Sequence, residues 1–228
     1  MRKVLTIFVA ITIILGVFTQ LLLPGIATGT VESRLKKLLD TESVQAHVTS
    51  TPAVMMALGY IGSMDVQAER GRLGKVRTQL LHLTGRSVSL DPAMLAGGHL
   101  VIKDAEELRL EGVVSEANLQ EYLEKNVKKL KNVEVKLTRD GVKAKAQIMI
   151  MGKNADVELE GAFVADDECI YLRTRRLEVR NSRLGKHLSL NLLEEFPIVD
   201  FNKINLPLSL EGVVHEDGRA IVRAVYRQ

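Results

Sequence analysis

The chain has 228 residues, of which 46% are apolar and 26% are charged, so it can form one large globular domain or two small ones. A net charge of +3, the absence of Trp and an aromatic content of 4% disfavour nucleic acid as the main partner. The single cysteine, Cys169, excludes an intramolecular disulfide.

The N-terminal segment predicts the compartment. Arg2 and Lys3 precede an uncharged, largely apolar stretch over residues 4–23. At about 1.5 Å per residue, such a helix could cross a hydrocarbon core of about 30 Å, and the leading positive charges favour a cytoplasmic N-terminus. We therefore predict a transmembrane signal-anchor over 1–24 and an exported domain over 25–228. A signal peptide cleaved near Ala27–Gly29 is the alternative.

The next predicted element is an amphipathic helix. Pro24 and Gly25 are expected to break the anchor and to open this helix, which should end near Asp40. Its apolar residues recur at helical spacing and would form one stripe: Val31, Leu35, Leu38 and Leu39.

A short apolar helix is predicted between Pro52 and Gly59, after a strand over 43–50. It carries Met55 and Met56. Core packing explains such a helix, and a mobile lip that enters a membrane or gates a cavity is the alternative, because Met adapts to irregular partners. Further strands or extended connections are predicted at 64–70, 75–83 and 99–114.

The second half of the chain predicts one capped helix and several hairpins. Ser115 is expected to cap a helix over 115–131. Alternating strands then meet at the turn signals Asp140–Gly141 and Asp217–Gly218. A further short helix is predicted over 185–196. Antiparallel strands with two or three helices give the α+β class.

One strand pattern recurs at 108–112, 157–161 and 208–212, each time ending in Glu-Gly. A glycine on the apolar face of a strand marks a sharp bend or a close approach to the backbone. Coincidence among strands of similar composition is the alternative. Period-two alternation points the following residues inward: Leu108, Leu110, Gly112 and Val114; Val157, Leu159, Gly161 and Phe163; Leu208, Leu210, Gly212 and Val214.

Reactive chemistry is not evident in the sequence. The histidines at 47, 82, 99, 187 and 215 lack metal-ligand spacing, and no nucleophile elbow or phosphate-binding loop occurs. A basic cluster around Arg173, Arg175 and Arg176 is opposed only by Glu178. Near a bilayer such a cluster could meet anionic headgroups, and a solvated strand face is the alternative.

A series of hydrophobic and turn positions carries a family resemblance over almost the whole exported length: Leu23–Pro24, Val31–Glu32, Leu35, Leu39, Val44, Pro52, Leu58–Gly59, Val113–Leu119, Leu123, Phe196–Pro197, Leu206–Leu210, Val213, Gly218 and Val222. In this order the series resembles the LmeA-like phospholipid-binding family of bacterial cell-envelope proteins. The resemblance implies envelope localisation, phospholipid binding, no enzymatic activity, and a tubular fold whose curved antiparallel sheet wraps a long helix. The helix at 115–131 is the candidate for that wrapped element.

The sequence therefore predicts a membrane-anchored, non-enzymatic, extracytoplasmic protein that binds phospholipid or another acyl lipid without a cofactor or metal. Acyl chains would lie against the inward faces of the repeated strands and against Met55 and Met56. Arg173, Arg175 and Arg176 would hold the headgroup. Gly161→Leu is expected to reduce lipid uptake and leave the fold largely intact. An envelope scaffold with a filled core and a protein-binding surface is the alternative.

Overall fold

Antiparallel strands dominate the structure, a computed structural model that describes residues 22–97, 99–127, 130–150, 153–166, 168–180, 196–204 and 206–227. Residues 1–21 of the predicted anchor and most of the helix predicted over 185–196 lie outside these ranges. Within them, no helix is both long enough and apolar enough to cross a membrane.

The strands follow the alternation of the sequence closely. In chain order they are β1 (Ser43–Thr49), β2 (Tyr60–Glu69), β3 (Arg72–Leu73), β4 (Val76–Arg77), β5 (Leu80–Leu90), β6 (Ile102–Asp104), β7 (Glu107–Ser115), β8 (Leu130–Thr138), β9 (Gly141–Ile150), β10 (Lys153–Ala165), β11 (Cys169–Arg180), β12 (Phe196–Asp200), β13 (Leu208–Glu216) and β14 (Arg219–Tyr226).

The strands form two large sheets and one small hairpin. The seven-stranded sheet has the order β1-β2-β5-β7-β14-β13, with β6 also paired to β5. The five-stranded sheet has the order β12-β11-β10-β9-β8, and β3 pairs only with β4. Every described pairing is antiparallel and one sheet curls into a half-barrel, which confirms the predicted curved antiparallel strands.

Helices are few among the described residues: α1 (residues 22–38), α2 (Pro92–Ala96) and α3 (Glu116–Asn126), with 3-10 turns at Ala53–Leu58 and Phe201–Lys203. The predicted apolar stripe of α1 is confirmed, because Val31, Leu35 and Leu39 are buried in the main core. The expected break at Pro24–Gly25 is wrong, since both residues are helical. A proline ring still permits helical φ at its own position.

The helix predicted over 115–131 is shorter than expected. Ser115 and Asn118 form a capping box, in which the Ser115 hydroxyl accepts from the Asn118 amide at 3.3 Å. The helix ends at Asn126, and Leu130 already pairs with Ile148 in the five-stranded sheet. Strand pairing therefore takes over the last residues of the apolar pattern, and α3 is limited to Glu116–Asn126.

The short apolar helix forms as a 3-10 helix that stops at Gly59, where φ is 85°. The Leu90 amide donates to the Gly59 carbonyl at 2.7 Å, which places this helix beside the end of β5. The next helix, α2, was not predicted from the sequence. Its N-terminus is capped by Asp91, whose Oδ1 accepts from the amides of Ala93 and Met94.

Candidate functional site

An apolar cavity of about 300 Å³ lies between α1 and the seven-stranded sheet. Its helix wall consists of Leu35, Leu38 and Leu39. The opposite wall is formed by inward side chains of β2, β5 and β7, and the remaining side is closed by the β3–β4 hairpin together with residues 197–206. The strand residues that line it are Val66, Ala68, Leu81, Leu83 and Leu110.

Backbone hydrogen bonds hold the hairpin over the cavity. The Arg72 amide donates to the Leu39 carbonyl at 2.6 Å, and the Lys75 amide donates to the Ile198 carbonyl at 3.2 Å. Gly74 allows this close approach: its φ is +62°, and an added Cβ would lie 3.0 Å from the Cα of Val199. The hairpin therefore joins α1 to the edge of the five-stranded sheet.

The charged residues that line the cavity belong to the hairpin and to the 197–206 segment. Arg72 pairs with Asp40 at 3.0 Å, and Lys203 pairs with Asp200 at 2.8 Å. The hydrogen bond from Lys203 lowers the pKa of Asp200, so this carboxyl stays ionised. Apart from these groups and Lys75, the lining is apolar or glycine. Such a space suits a hydrocarbon chain that ends in a polar group.

The predicted groove residues are not all brought to this cavity. Leu110 lines it, while Leu108 and Leu208 are buried elsewhere in the core. Val157 and Leu159 line a separate hollow of about 30 Å³ beneath α3. Phe163 and Leu210 pack in the core and line neither the cavity nor the small hollow. Met55 and Met56 are half-buried on the 3-10 helix and also line neither space.

The three repeated glycines have different surroundings. A Cβ on Gly161 would lie 2.6 Å from the carbonyl oxygen of Arg173 in the neighbouring strand, at a point where the β10–β11 register shifts. Side chains of Leu81 and Leu73 crowd Gly112 at 3.1 and 3.2 Å. Gly212 has open space around it. The expectation that Gly161→Leu leaves the fold intact is wrong, because a backbone atom cannot yield as a side chain can.

A bulge also changes which side chains of β13 face inward. Leu210 pairs with Ala224 and Gly212 with Arg223, so Glu211 is an extra residue. The alternation reverses beyond this point: Val213 packs on the core and Val214 is 40% exposed. The inward prediction for Val214 is therefore wrong.

The predicted headgroup arginines lie on β11, and none of them lines the cavity or the small hollow. Arg175 is the extra residue where the β10–β11 register shifts, and its Nη1 donates to the Asp140 carbonyl at 3.4 Å. Arg176 forms an ion pair with Glu178. The structure therefore does not bring these arginines to the apolar space.

His215 has a structural position between the two sheets. The Phe163 amide donates to its Nε2 at 3.1 Å, and the two rings stack with centroids 5.5 Å apart. Burial, and secondarily the charge of Arg175, lowers the pKa of His215 and keeps it neutral. Within the described part of the chain, no group of His, Cys, Asp and Glu side chains could hold a metal ion.

Sequence reasoning missed most residues of the cavity. Val66, Ala68, Leu81 and Leu83 alternate as strand residues do, and this signal was available. The sequence could not show that this strand face lies opposite the hairpin and β12, because those segments are brought together only by the fold of the whole chain.

The fold and the cavity define the class: a domain of mostly antiparallel strands with few helices and a small apolar cavity. The family model described as LmeA-like phospholipid-binding matches residues 18–224, and the chain belongs to that family. Over 90 residues the chain is 28% identical to the HTH-type transcriptional regulator AldR of Mycolicibacterium smegmatis, which covers 37% of this chain. The chain spans about half of that relative, 53% of its length. No solved structure matches the chain.

Proposed function

We propose that this protein is a membrane-anchored, extracytoplasmic lipid-binding protein without enzymatic activity, and that its cavity holds an acyl chain of a phospholipid or another acyl lipid. The apolar cavity of about 300 Å³ carries the proposal, in a chain that belongs to a phospholipid-binding family. Small-molecule sites span about 300–1,000 Å³, so this volume suits one chain better than a whole diacyl lipid.

The lining also supports selection by chain length. Each methylene moved from water into such a cavity contributes about 0.8 kcal/mol, until the space is filled. An envelope scaffold would need no such space, because its core would be filled. The cavity therefore favours ligand binding over the scaffold alternative.

Exposed apolar residues at one end support a membrane-facing orientation. Ile26 and Leu58 are 64% and 69% exposed, and Leu22, Val54 and Met94 are exposed as well. The 3-10 helix and α2 meet at Gly59, where an added Cβ would lie 3.2 Å from Pro92. The Arg72 amide binds the Leu39 carbonyl just after α1, and the Ala46 amide of β1 donates to Glu32 within the helix. The helix therefore runs antiparallel to β1, and its N-terminus points towards the end of β1. The apolar stretch over 4–23 precedes and enters α1 along the chain.

Native mass spectrometry of the full chain, purified in detergent, tests the binding. We expect the native protein to release an acyl lipid. Ala68→Leu should reduce the loaded fraction, because Ala68 lines the cavity and the larger side chain occupies part of it. The matched control is Ala46→Leu, on the inner face of β1 but away from the cavity, which should load like the native chain. Lipid-free native protein, or equal loading of both variants, contradicts the proposal.

The extracytoplasmic location has its own test. Alkaline phosphatase fused after Gln228 requires an oxidising compartment to form its disulfides. We expect an active fusion when the chain is produced in a bacterium, and the same fusion without residues 1–24 should be inactive. An inactive full-length fusion of normal abundance contradicts export.

A further inference from the structure

A second hollow, of about 610 Å³, lies beside the cavity on the next face of α1. Its lining includes three basic residues, Arg34, Lys37 and His99, next to apolar residues such as Leu38 and Leu100. No carboxylate lines it. We refer to this space as the basic hollow, because its titratable lining residues are all of one type.

Within the part of the chain that the structure describes, the basic groups of the hollow have no ion-pair partner. Among the described residues, neither Arg34 nor Lys37 forms an ion pair, whereas Arg72, Arg86 and Arg223 each meet a carboxylate. The Arg34 Nε is buried and has no hydrogen-bond acceptor. The charges of Arg34 and Lys37 are therefore not neutralised by a carboxylate of the described residues, and they can attract an anion that enters the hollow.

Only a thin wall separates the hollow from the cavity. Leu38 lines both spaces, and the adjacent residues Leu206 and Pro207 line the cavity and the hollow respectively. A ligand whose chain fills the cavity can therefore pass over the Leu38 side chain and place its polar end among the basic groups.

We propose that the basic hollow binds the phosphate of an anionic acyl lipid whose chain occupies the cavity. This inference rests on the proposed lipid-binding function. The Arg34 guanidinium offers a planar fork that matches two phosphate oxygens, and Lys37 adds a compact charge. The single sign of the lining favours a lipid whose phosphate charge is not balanced by a cationic headgroup.

Competition between two lipids tests the site on the full chain in detergent. In this assay, a fluorescent fatty-acyl probe is first bound to the protein. Phosphatidate, or diacylglycerol with the same acyl chains, is then added to displace it. We expect the native protein to bind phosphatidate more tightly than diacylglycerol. In the double variant Arg34→Gln/Lys37→Gln the ratio of the two affinities should fall roughly tenfold. Diacylglycerol should displace the probe equally well from both. Lys36→Gln removes a charge from the same helix outside the basic hollow and should keep the preference.

Each other outcome has a distinct meaning. Equal affinity of the native chain for the two lipids overturns the phosphate site and leaves lipid binding in place. Failure of both lipids to displace the probe overturns the proposed function and this inference together. Saturation by inorganic phosphate without effect on lipid affinity overturns the lipid as the source of the phosphate. If the double variant does not fold, Lys37→Gln alone and Arg34→Lys, which keeps the charge without the fork, provide the same comparison.

Discussion

The two large sheets are built from similar alternating strands, yet among the described residues only the seven-stranded sheet turns its inner face to a sizeable cavity, and the five-stranded sheet contributes its edge strand β12. Across its inner face lie α1, the β3–β4 hairpin and residues 197–206, which enclose about 300 Å³. Across the five-stranded sheet lies α3, which leaves a hollow of about 30 Å³. The elements that lie across a sheet therefore decide whether a cavity remains there, and the strand pattern does not.

Side-chain contacts explain why α3 packs more closely. Leu119, Tyr122 and Leu123 are buried against the strands, and Glu116 accepts the Leu137 amide at 2.8 Å. The Tyr122 hydroxyl donates to the Pro197 carbonyl at 3.2 Å, and burial raises the pKa of this tyrosine. The cavity lies beneath Leu35 and Leu38, in the C-terminal half of α1.

The largest expected effect concerns the glycines of the repeated strands. Gly161→Leu should reduce the free energy of unfolding by at least about 3 kcal/mol, because its Cβ meets a backbone oxygen of the five-stranded sheet. Gly212→Ala, which has open space around it, should change stability by less than about 0.5 kcal/mol. Urea denaturation of the full chain in detergent measures both. Equal effects would mean that the two bulges are equivalent.

One substitution made on each sheet sharpens the comparison further. Ala144→Leu enlarges a side chain that lines the small hollow, and overpacking there should cost about 1–3 kcal/mol. Ala68→Leu extends into the cavity and should cost less than about 0.5 kcal/mol in lipid-free protein. Melting temperatures after lipid extraction give the ranking. A larger loss for Ala68→Leu would contradict the difference in space.

The cap of α3 should have a smaller effect. Ser115→Ala removes the hydroxyl that accepts the Asn118 amide, and this should lower the free energy of unfolding by about 1 kcal/mol. Ser115→Asp is the matched control, since aspartate also caps a helix, and it should retain most of the stability. Denaturation midpoints check both variants. Loss of lipid loading in Ser115→Ala would show that α3 also controls the cavity.

The smallest effect is a pH dependence at the contact between the sheets. Because the folded pKa of His215 is lowered, its stabilisation is fully present above the unfolded value of about 6.5 and falls as the pH drops through the folded pKa. Below about 6.5 the unfolded state binds more protons, so stability should decrease. His215→Gln should flatten this part of the profile in denaturation experiments. An unchanged slope would assign it to other groups.

Local periodicity predicted much of the fold. The stripe of α1 and the alternation of β7 depend on neighbouring residues, and both are confirmed, while the predicted turn at Asp140–Gly141 forms one residue earlier, at Arg139–Asp140. The sequence could not reveal the extra residue Glu211, since a bulge reverses alternation without changing composition. It also could not locate the end of α3, because Leu130 fits a helix stripe and a strand equally well.

The candidate site was less predictable than the fold. Leu110 belongs to the cavity as expected, but the other walls come from segments far apart in the chain. The predicted headgroup cluster at Arg173, Arg175 and Arg176 consists of charges that lie close together in the sequence. In the sequence, Arg34 and Lys37 look like ordinary solvent-facing positions of a helix. They line the basic hollow only because α2 and β6 lie beside them in the fold.

The distance along the chain between the cavity walls has a consequence for folding. Leu35 and Ile204 face the same space, so it exists only after contacts of very long sequence separation have formed. Such contacts form slowly, because the loop that joins them must first close. A ligand held there binds the completed fold and not the unfolded chain, and it stabilises that fold in proportion to the logarithm of its concentration. A molecule that carries lipid in the cavity has therefore completed its fold.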